Sequence, residues 1–423
     1  MESECMALSL VSADPVPRPT GRVICDPCGV LSTYRSILTV PGAAIFSLSG
    51  FIARLPVSMV SLGIVLLISS ASDSYGQAGT VAAAYLLANA ALAIVHGRLV
   101  DRYGQFRVLP AAQLLYSVAL VALVWAVQTD QPQAVTLVAA AVAGGSLPQI
   151  GSCVRARWNH VLDDQGKLQT AFALESVIDE CLFVLGPTVV TTLATVWHPV
   201  AGLAVAGACG LLGTLALAAQ RRTEPPAHPR TADAVRPPMP WRTVAPMALV
   251  CASLGVIFGA AELTTVAFAE DQGAKAWSGP LLGVWALGSL AAGLVAGAIT
   301  WRSGPERRVR WGVLMLGATM LPLTVVDSMW LMAFFLLIGG LAIAPTLIAA
   351  LALTAAAVPN ARLTEGMAVL HTAMGIGVAP GATIAGIVVD HYGSSAAYLV
   401  PAVAGLIGAI AAWLGRAPVP SPA

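Results

Sequence analysis

The chain has 423 residues, of which 57% are hydrophobic and only 10% charged. Soluble domains carry about 25% charged residues, so a water-soluble fold of this length is excluded for want of polar surface. With 22 basic and 21 acidic residues the net charge is +1, which leaves no footprint for nucleic acid.

Residues 1–35 show no apolar periodicity and are expected to form a disordered tail. The tail opens Met1-Glu2-Ser3-Glu4, acidic where a cleavable signal would be basic. Its Cys25 and Cys28 lack the second ligand pair of a zinc site. Cys153, Cys181, Cys209 and Cys251 fall in or beside apolar runs. No metal, cofactor or disulfide framework is therefore expected.

Apolar runs then follow at 37–68, 77–97, 108–128, 134–154, 169–194 and 199–219, and again at 244–268, 279–300, 310–327, 330–357, 364–389 and 395–414. Twelve helices of about 21 residues need about 252 residues, which leaves no room for a second soluble domain of any size. Residues 220–242, rich in proline and arginine, read as a linker. The expected organisation is a tail (1–35), a six-helix bundle (36–219), the linker (220–242), a second six-helix bundle (243–415) and a short tail (416–423). The fold class is an all-α membrane protein.

Orientation follows from the positive charges. With both termini inside, every arginine and lysine falls on the inner side except Lys275, in an outer loop, and Arg54, within the first span. The expected location is the cytoplasmic membrane, with both tails cytoplasmic and the chain a monomer.

Three landmarks recur in the same order in the two halves. Gly97-Arg-Leu-Val-Asp-Arg-Tyr-Gly104 is echoed by Gly297-Ala-Ile-Thr-Trp-Arg-Ser-Gly304, Gly144-Gly145 with Pro148 by Gly339-Gly340 with Pro345, and Gly186-Pro187 by Ala379-Pro380-Gly381. The nearly constant offset argues for a parallel repeat of two six-helix units with a site between them near the midplane.

The loop after the second span reads Gly97-Arg98-Leu99-Val100-Asp101-Arg102-Tyr103-Gly104-Gln105-Phe106-Arg107. A basic inner loop would explain its arginines but not the spacing of Gly97, Leu99, Asp101, Arg102, Gly104 and Arg107. This pattern resembles the loop signature of the major facilitator superfamily, G-x-L-[AV]-D-R-x-G-[RK]-[KR]-[RK]. Gln105 and Phe106 depart from it. The resemblance, over residues 36–415, implies the major facilitator fold, with twelve spans in two halves and a cavity lined by spans 1, 4, 7 and 10. It also implies a cytoplasmic latch at Gly97, Asp101, Arg102, Gly104 and Arg107, to which Arg157 and Glu175 are candidate additions. Arg155 and Arg157 also have a plainer reading as positive-inside anchors.

Charges within spans are expensive and mark function. Arg54, beside Pro56, lies roughly 25 Å into the first expected span at about 1.5 Å per residue, and reads as an anion-attracting or proton-network residue. Glu175 and Asp179 share one face of span 5 as i and i+4, and Glu180 is turned away by about 100°. Asp179, near the midplane, is the first candidate for binding a proton, and a buried pair with Arg54 or Arg157 is the structural alternative. Glu262 falls near the depth of Arg54 if Phe258 is aligned with Phe51, which would set the two across the cavity. His371 is a candidate proton relay, with packing as its alternative. Gly186-Pro187 keeps only the centre of the antiporter signature G-x-x-x-G-P-x-x-G-G, and its other reading is close helix packing.

No His-Glu-x-x-His, Gly-x-Ser-x-Gly or Gly-x-x-x-x-Gly-Lys-[ST] motif occurs, which argues against an intramembrane enzyme or a nucleotide-driven pump. A sensor would need a signalling domain for which no residues remain. The leading expectation is a secondary transporter that couples protons to the export of a small, partly apolar molecule. Import of a small organic anion or sugar is the alternative.

Overall fold

The computed structural model describes residues 35, 37–72, 74–162, 164–227, 238–298, 303–359 and 363–415. The expected tails, the Cys25 and Cys28 pair, the middle of the linker and Arg302 in the second-half echo lie outside the described residues. Among the described residues there is no strand. That follows from the solvent, because in lipid each backbone amide must pair within its own segment, and a helix does so.

Among the described residues, twelve long helices form the bundle. They are α1 (Ala43–Ser72), α2 (Tyr75–Tyr103), α3 (Gln105–Gln128), α4 (Gln133–Val161), α5 (Gln165–Thr192) and α6 (Ala201–Ala219), then α7 (Trp241–Asp271), α8 (Ser278–Ala298), α9 (Pro305–Met320), α10 (Met329–Ala357), α11 (Leu363–Tyr392) and α12 (Leu399–Leu414). Eleven of the twelve are long and apolar enough to cross a bilayer. The exception is α9, with 16 residues, whereas α12 reaches 21 when counted with the short helical turn that begins at Ser394. Helix α9 begins earlier than expected because Pro305 suits a first helical position, and a 3-10 turn at Pro322–Thr324 extends its far end.

Two other boundaries move, each for a local reason. Helix α1 starts at Ala43 and not near 37, because Gly42 adopts φ +84° and breaks the helix behind Pro41. Arg54 is therefore about 17 Å from the start of its helix at about 1.5 Å per residue, and not 25 Å. Helix α4 breaks between Ser146 and Ile150, around Pro148, and its second segment runs on to Val161. Arg155 and Arg157, just past the expected end of span 4 at 154, are thus part of the bundle.

Helices α1–α6 pack as one half and α7–α12 as the other, and the halves meet chiefly through α2 against α11 and α5 against α8. Close approach of backbones makes these contacts, as small residues allow in lipid. A Cβ on Gly79 would lie 2.5 Å from the Ala382 carbonyl oxygen. The repeat expected from sequence is visible in the packing. Gly144 of α4 lies on the Tyr85 carbonyl of α2 as Gly340 of α10 lies on the Trp285 carbonyl of α8, and Gly213 meets Ala53 as Gly408 meets Ser253. The last pair sets Arg54 of the first half against Leu254 of the second.

Candidate functional site

Arg54 projects from α1 toward α5 and is almost wholly buried. Its Nε donates to the Gly50 carbonyl of its own helix at 3.0 Å. Its Nη2 donates to Glu175 Oε2 at 2.5 Å and its Nη1 to Asp179 Oδ1 at 2.7 Å. The i, i+4 spacing on α5 puts both carboxylates within reach of one guanidinium. Glu175 also accepts, at Oε1, from Ser47 Oγ at 3.0 Å and from the Trp158 indole at 2.9 Å. Phe46 packs edge-on against that indole at 4.7 Å. The other oxygen of Asp179 accepts from Arg155 Nη2 at 2.7 Å.

Burial grades along this chain of charges. The Glu175 side chain is 0% exposed and Arg54 4%, whereas Asp179 is 32% exposed and Arg155 38%. Two cations and two anions cancel, and the buried pair has the additional hydrogen bonds that a desolvated ion pair needs to persist. The inner pair is a fastening. The outer pair, Asp179 and Arg155, is the part of the network that is partly exposed.

The structure thus brings Arg54, Glu175 and Asp179 together. It does not bring Glu262 to Arg54, because Phe51 and Phe258 are not equivalent in the packing repeat. Glu262 instead faces Ser61 of α1, two turns beyond Arg54, and its Oε1 is buried with no hydrogen-bond partner. Glu180 faces Ser289 of α8. His371 is exposed, and its Nδ1 lies 2.9 Å from the Met367 carbonyl of its own helix. Glu175, a candidate for the latch, is committed to Arg54. Gly186 sits against Ser58, so Gly186-Pro187 serves close packing of α5 on α1.

At the loop between α2 and α3, Gly104 takes φ +84°, a conformation that favours glycine. Arg157 is fully buried. Its Nε donates to Gln105 Oε1 at 2.7 Å, and its Nη1 to the Gln220 carbonyl and Thr223 Oγ1, each at 2.8 Å. It therefore ties α4 to the α2–α3 turn and to the end of α6. Both departures from the loop signature have local uses. Gln105 receives Arg157 and donates to the Cys153 carbonyl at 3.1 Å, while the Arg221 guanidinium lies 3.4 Å from the centre of the Phe106 ring. Glu224 accepts from the Phe106 amide at 3.0 Å, at the start of α3, where a carboxylate favours the helix dipole. Asp101, Arg102 and Arg107 are exposed, and Gly97 has open space where a Cβ would lie.

The two ends of the bundle differ. At the end remote from both termini, side chains join the halves. Asp390 of α11 accepts from Ser74, Tyr75 and Gly76 at the start of α2, Tyr75 Oη donates to Glu270 of α7, and Lys275 Nζ donates to Ser69 of α1. At the end that bears the termini, no residue of α2 from Leu86 to Tyr103 is buried. The halves are pinned at the remote end, and at the other α2 is left unburied.

Sequence reasoning missed Arg155, Trp158 and Ser47 in the charge network, and Gln105, Gln220, Thr223 and Glu224 at the anchor. One signal was present. Arg155 and Arg157 are two positions apart, which on a helix turns them about 200° from each other, so both cannot face the same surroundings.

Twelve helices in two repeated halves, pinned at one end and built around a polar network, define a membrane transporter of small molecules. Residues 46–327 and 281–423 match the profile of the Major Facilitator Superfamily, and the chain belongs to that family. Among solved structures, it is similar to a bacterial homologue of the human lysosomal transporter Spinster in an inward-facing, unoccupied conformation, with a TM-score of 0.63 at 15% identity over 92% of this chain and 99% of that one. The nucleoside transporter NupG gives a TM-score of 0.67 at 12% identity over 88% and 98% of the two chains. The human organic anion transporter MFSD10 (TETRAN) gives 0.57 at 16% over 90% and 99%. No curated protein sequence matches the chain. The family and these structures are transporters, and the protein is not an enzyme.

Proposed function

We propose that the protein is a proton-coupled secondary transporter of the cytoplasmic membrane that exports a small, partly apolar molecule by alternating access. Both termini are cytoplasmic in this reading, so the end where α2 is unburied faces the cytoplasm. The observation that carries it is Asp179. This carboxylate is held between a buried arginine and a half-exposed one, and it is itself 32% exposed.

The chemistry follows from that placement. A proton on Asp179 removes the anion that holds Arg155, so protonation and the arrangement of Arg155 are linked. A substrate that donates hydrogen bonds or carries positive charge competes with the proton for the same carboxylate. Binding one expels the other, which is exchange of proton for substrate. Glu175 is given no part in the exchange in this reading, because it is fully buried and already accepts three hydrogen bonds. Glu180, Glu262 and His371 lie outside the ion-paired network and are secondary candidates. Asp101, Arg102 and Arg107, exposed at the cytoplasmic end beside Gly97 and Gly104, are placed to act as a latch when that end closes, and Arg157 holds the turn that carries them.

A second reading is favoured by the convergence of Arg54 and Arg155 on a single carboxylate. A substrate anion that replaces a protonated Asp179 between these arginines would travel with the proton, which is import of an organic anion.

Proteoliposomes separate the two. Uptake of a lipophilic cation, ethidium, against an imposed pH gradient supports exchange. Proton-driven uptake of a carboxylate, benzoate, supports the anion reading. Flux indifferent to the gradient for both would remove proton coupling.

A further inference from the structure

The pinned end holds a contact that the charge network does not explain. Asp390 stands at the last turn of α11, and its carboxylate spans the first turn of α2 in the other half. Oδ2 accepts from Ser74 Oγ at 2.9 Å and from the Gly76 amide at 2.7 Å, while Oδ1 accepts from the Tyr75 amide at 2.8 Å. The first amides of a helix have no partner within it, and here a side chain from the opposite half supplies one. Gly76 leaves the space, since a Cβ there would lie 2.8 Å from Asp390 Oδ2. Gly386, one turn before Asp390, lets the α11 backbone approach Tyr75.

We propose that Asp390 is the gate residue of this end: the two halves part there only when its carboxylate releases the start of α2. The geometry makes release obligatory. The donors all belong to α2, the acceptor belongs to α11, and the two helices lie in different halves. Near the middle of the bundle the same helices still touch, with the place of a Cβ on Gly375 at 3.3 Å from the Ala90 side chain. A rocking motion about that level must separate Ser74 from Asp390. Two neighbours also cross between the halves, Lys275 to Ser69 and Tyr75 Oη to Glu270, but neither reaches the first amides of α2. Lys275 binds Glu270 at 2.9 Å and Ser69 at 3.0 Å, and Asp271 accepts from Ser394 within its own half.

Hydrogen bonds to a charged oxygen change an equilibrium by about tenfold or more each when lost, and water at this exposed rim lowers that figure. Asp390→Ala is expected to raise the population open at this end by about tenfold. This inference rests on the alternating-access reading above, but its test follows backbone exposure and not flux, so the two fail separately.

The measurement is amide hydrogen exchange on the full chain in lipid nanodiscs. Loss of a mere helix cap would speed exchange at 74–80 alone. Loss of a gate must also speed exchange at 184–200 and 275–287, where α5 meets α8 across the same end. Those segments supply none of the three hydrogen bonds to Asp390. Gly76→Ala, which crowds the carboxylate from the other side, is expected to give the same pattern without altering Asp390. Asp271→Asn is expected to leave 184–200 as in the parent protein. Exchange that rises at 74–80 only, or not at all, in both Asp390→Ala and Gly76→Ala would overturn the proposal, as would an equal effect from Asp271→Asn.

Discussion

At the level of Arg54, the first half fastens α1 to α4 and α5 with four charged side chains. At the matching level of the second half stands Leu254, fully buried, with Gly255 beside it pressed against the Met374 carbonyl of α11. The backbone repeat is shared and the chemistry is not. Helix α7 touches α11 backbone to backbone at this level through Gly255, whereas α1 reaches α5 there through the Arg54 side chain. At this level the repeated fold therefore differs between its halves, polar in the first and apolar in the second.

The largest effect is expected from removing the cation at the centre. Arg54→Met leaves Glu175 buried and uncompensated, which costs about 3–5 kcal/mol of stability. Thermal unfolding in detergent should show it, and adding Glu175→Gln should return part of the loss. If Arg54→Met unfolds like the parent, the network is not a fastening.

Smaller by design is Glu262→Gln in the second half. The exchange is nearly isosteric and removes no ion pair, so stability should move by less than about 1 kcal/mol, and pH-driven transport should persist. Loss of the pH response in that variant would transfer coupling to the apolar half. At the anchor, Gln105→Ala takes one acceptor from buried Arg157 and should cost about 1–3 kcal/mol. Phe106→Ala removes only a cation–π contact at an exposed position and should cost about 0.5–1 kcal/mol. An inverted order for these two would mean that Arg157 is held from elsewhere.

Much of this was legible in the sequence because lipid is a demanding solvent. A charge deficit, apolar runs of spanning length and one-sided arginines together leave few folds open, and the glycine pairs at a constant offset carry the repeat. The face shared by Glu175 and Asp179 follows from helical period alone, and Arg54 was an evident partner. What was hidden depends on where helices stop. The α1 start at Ala43 turned on the backbone of Gly42, and the break in α4 placed Arg155 inside the bundle, where an apolar count had ended the span. The register of α1 against α7 was misjudged from two phenylalanines, because the true equivalence is set by glycine contacts with α6 and α12 that no linear pattern displays. Partners more than a hundred residues apart, such as Glu224 for the Phe106 amide, leave no local trace.

The most direct test of the account is pH-gradient-driven accumulation by Asp179→Asn in proteoliposomes, with substrate exchange at equal pH measured beside it. Asparagine keeps the size and one acceptor of the side chain but cannot take up a proton and give it back. The account predicts that gradient-driven accumulation is lost while exchange at equal pH continues. Accumulation at the parent rate in Asp179→Asn would contradict it and move proton coupling away from the charged half.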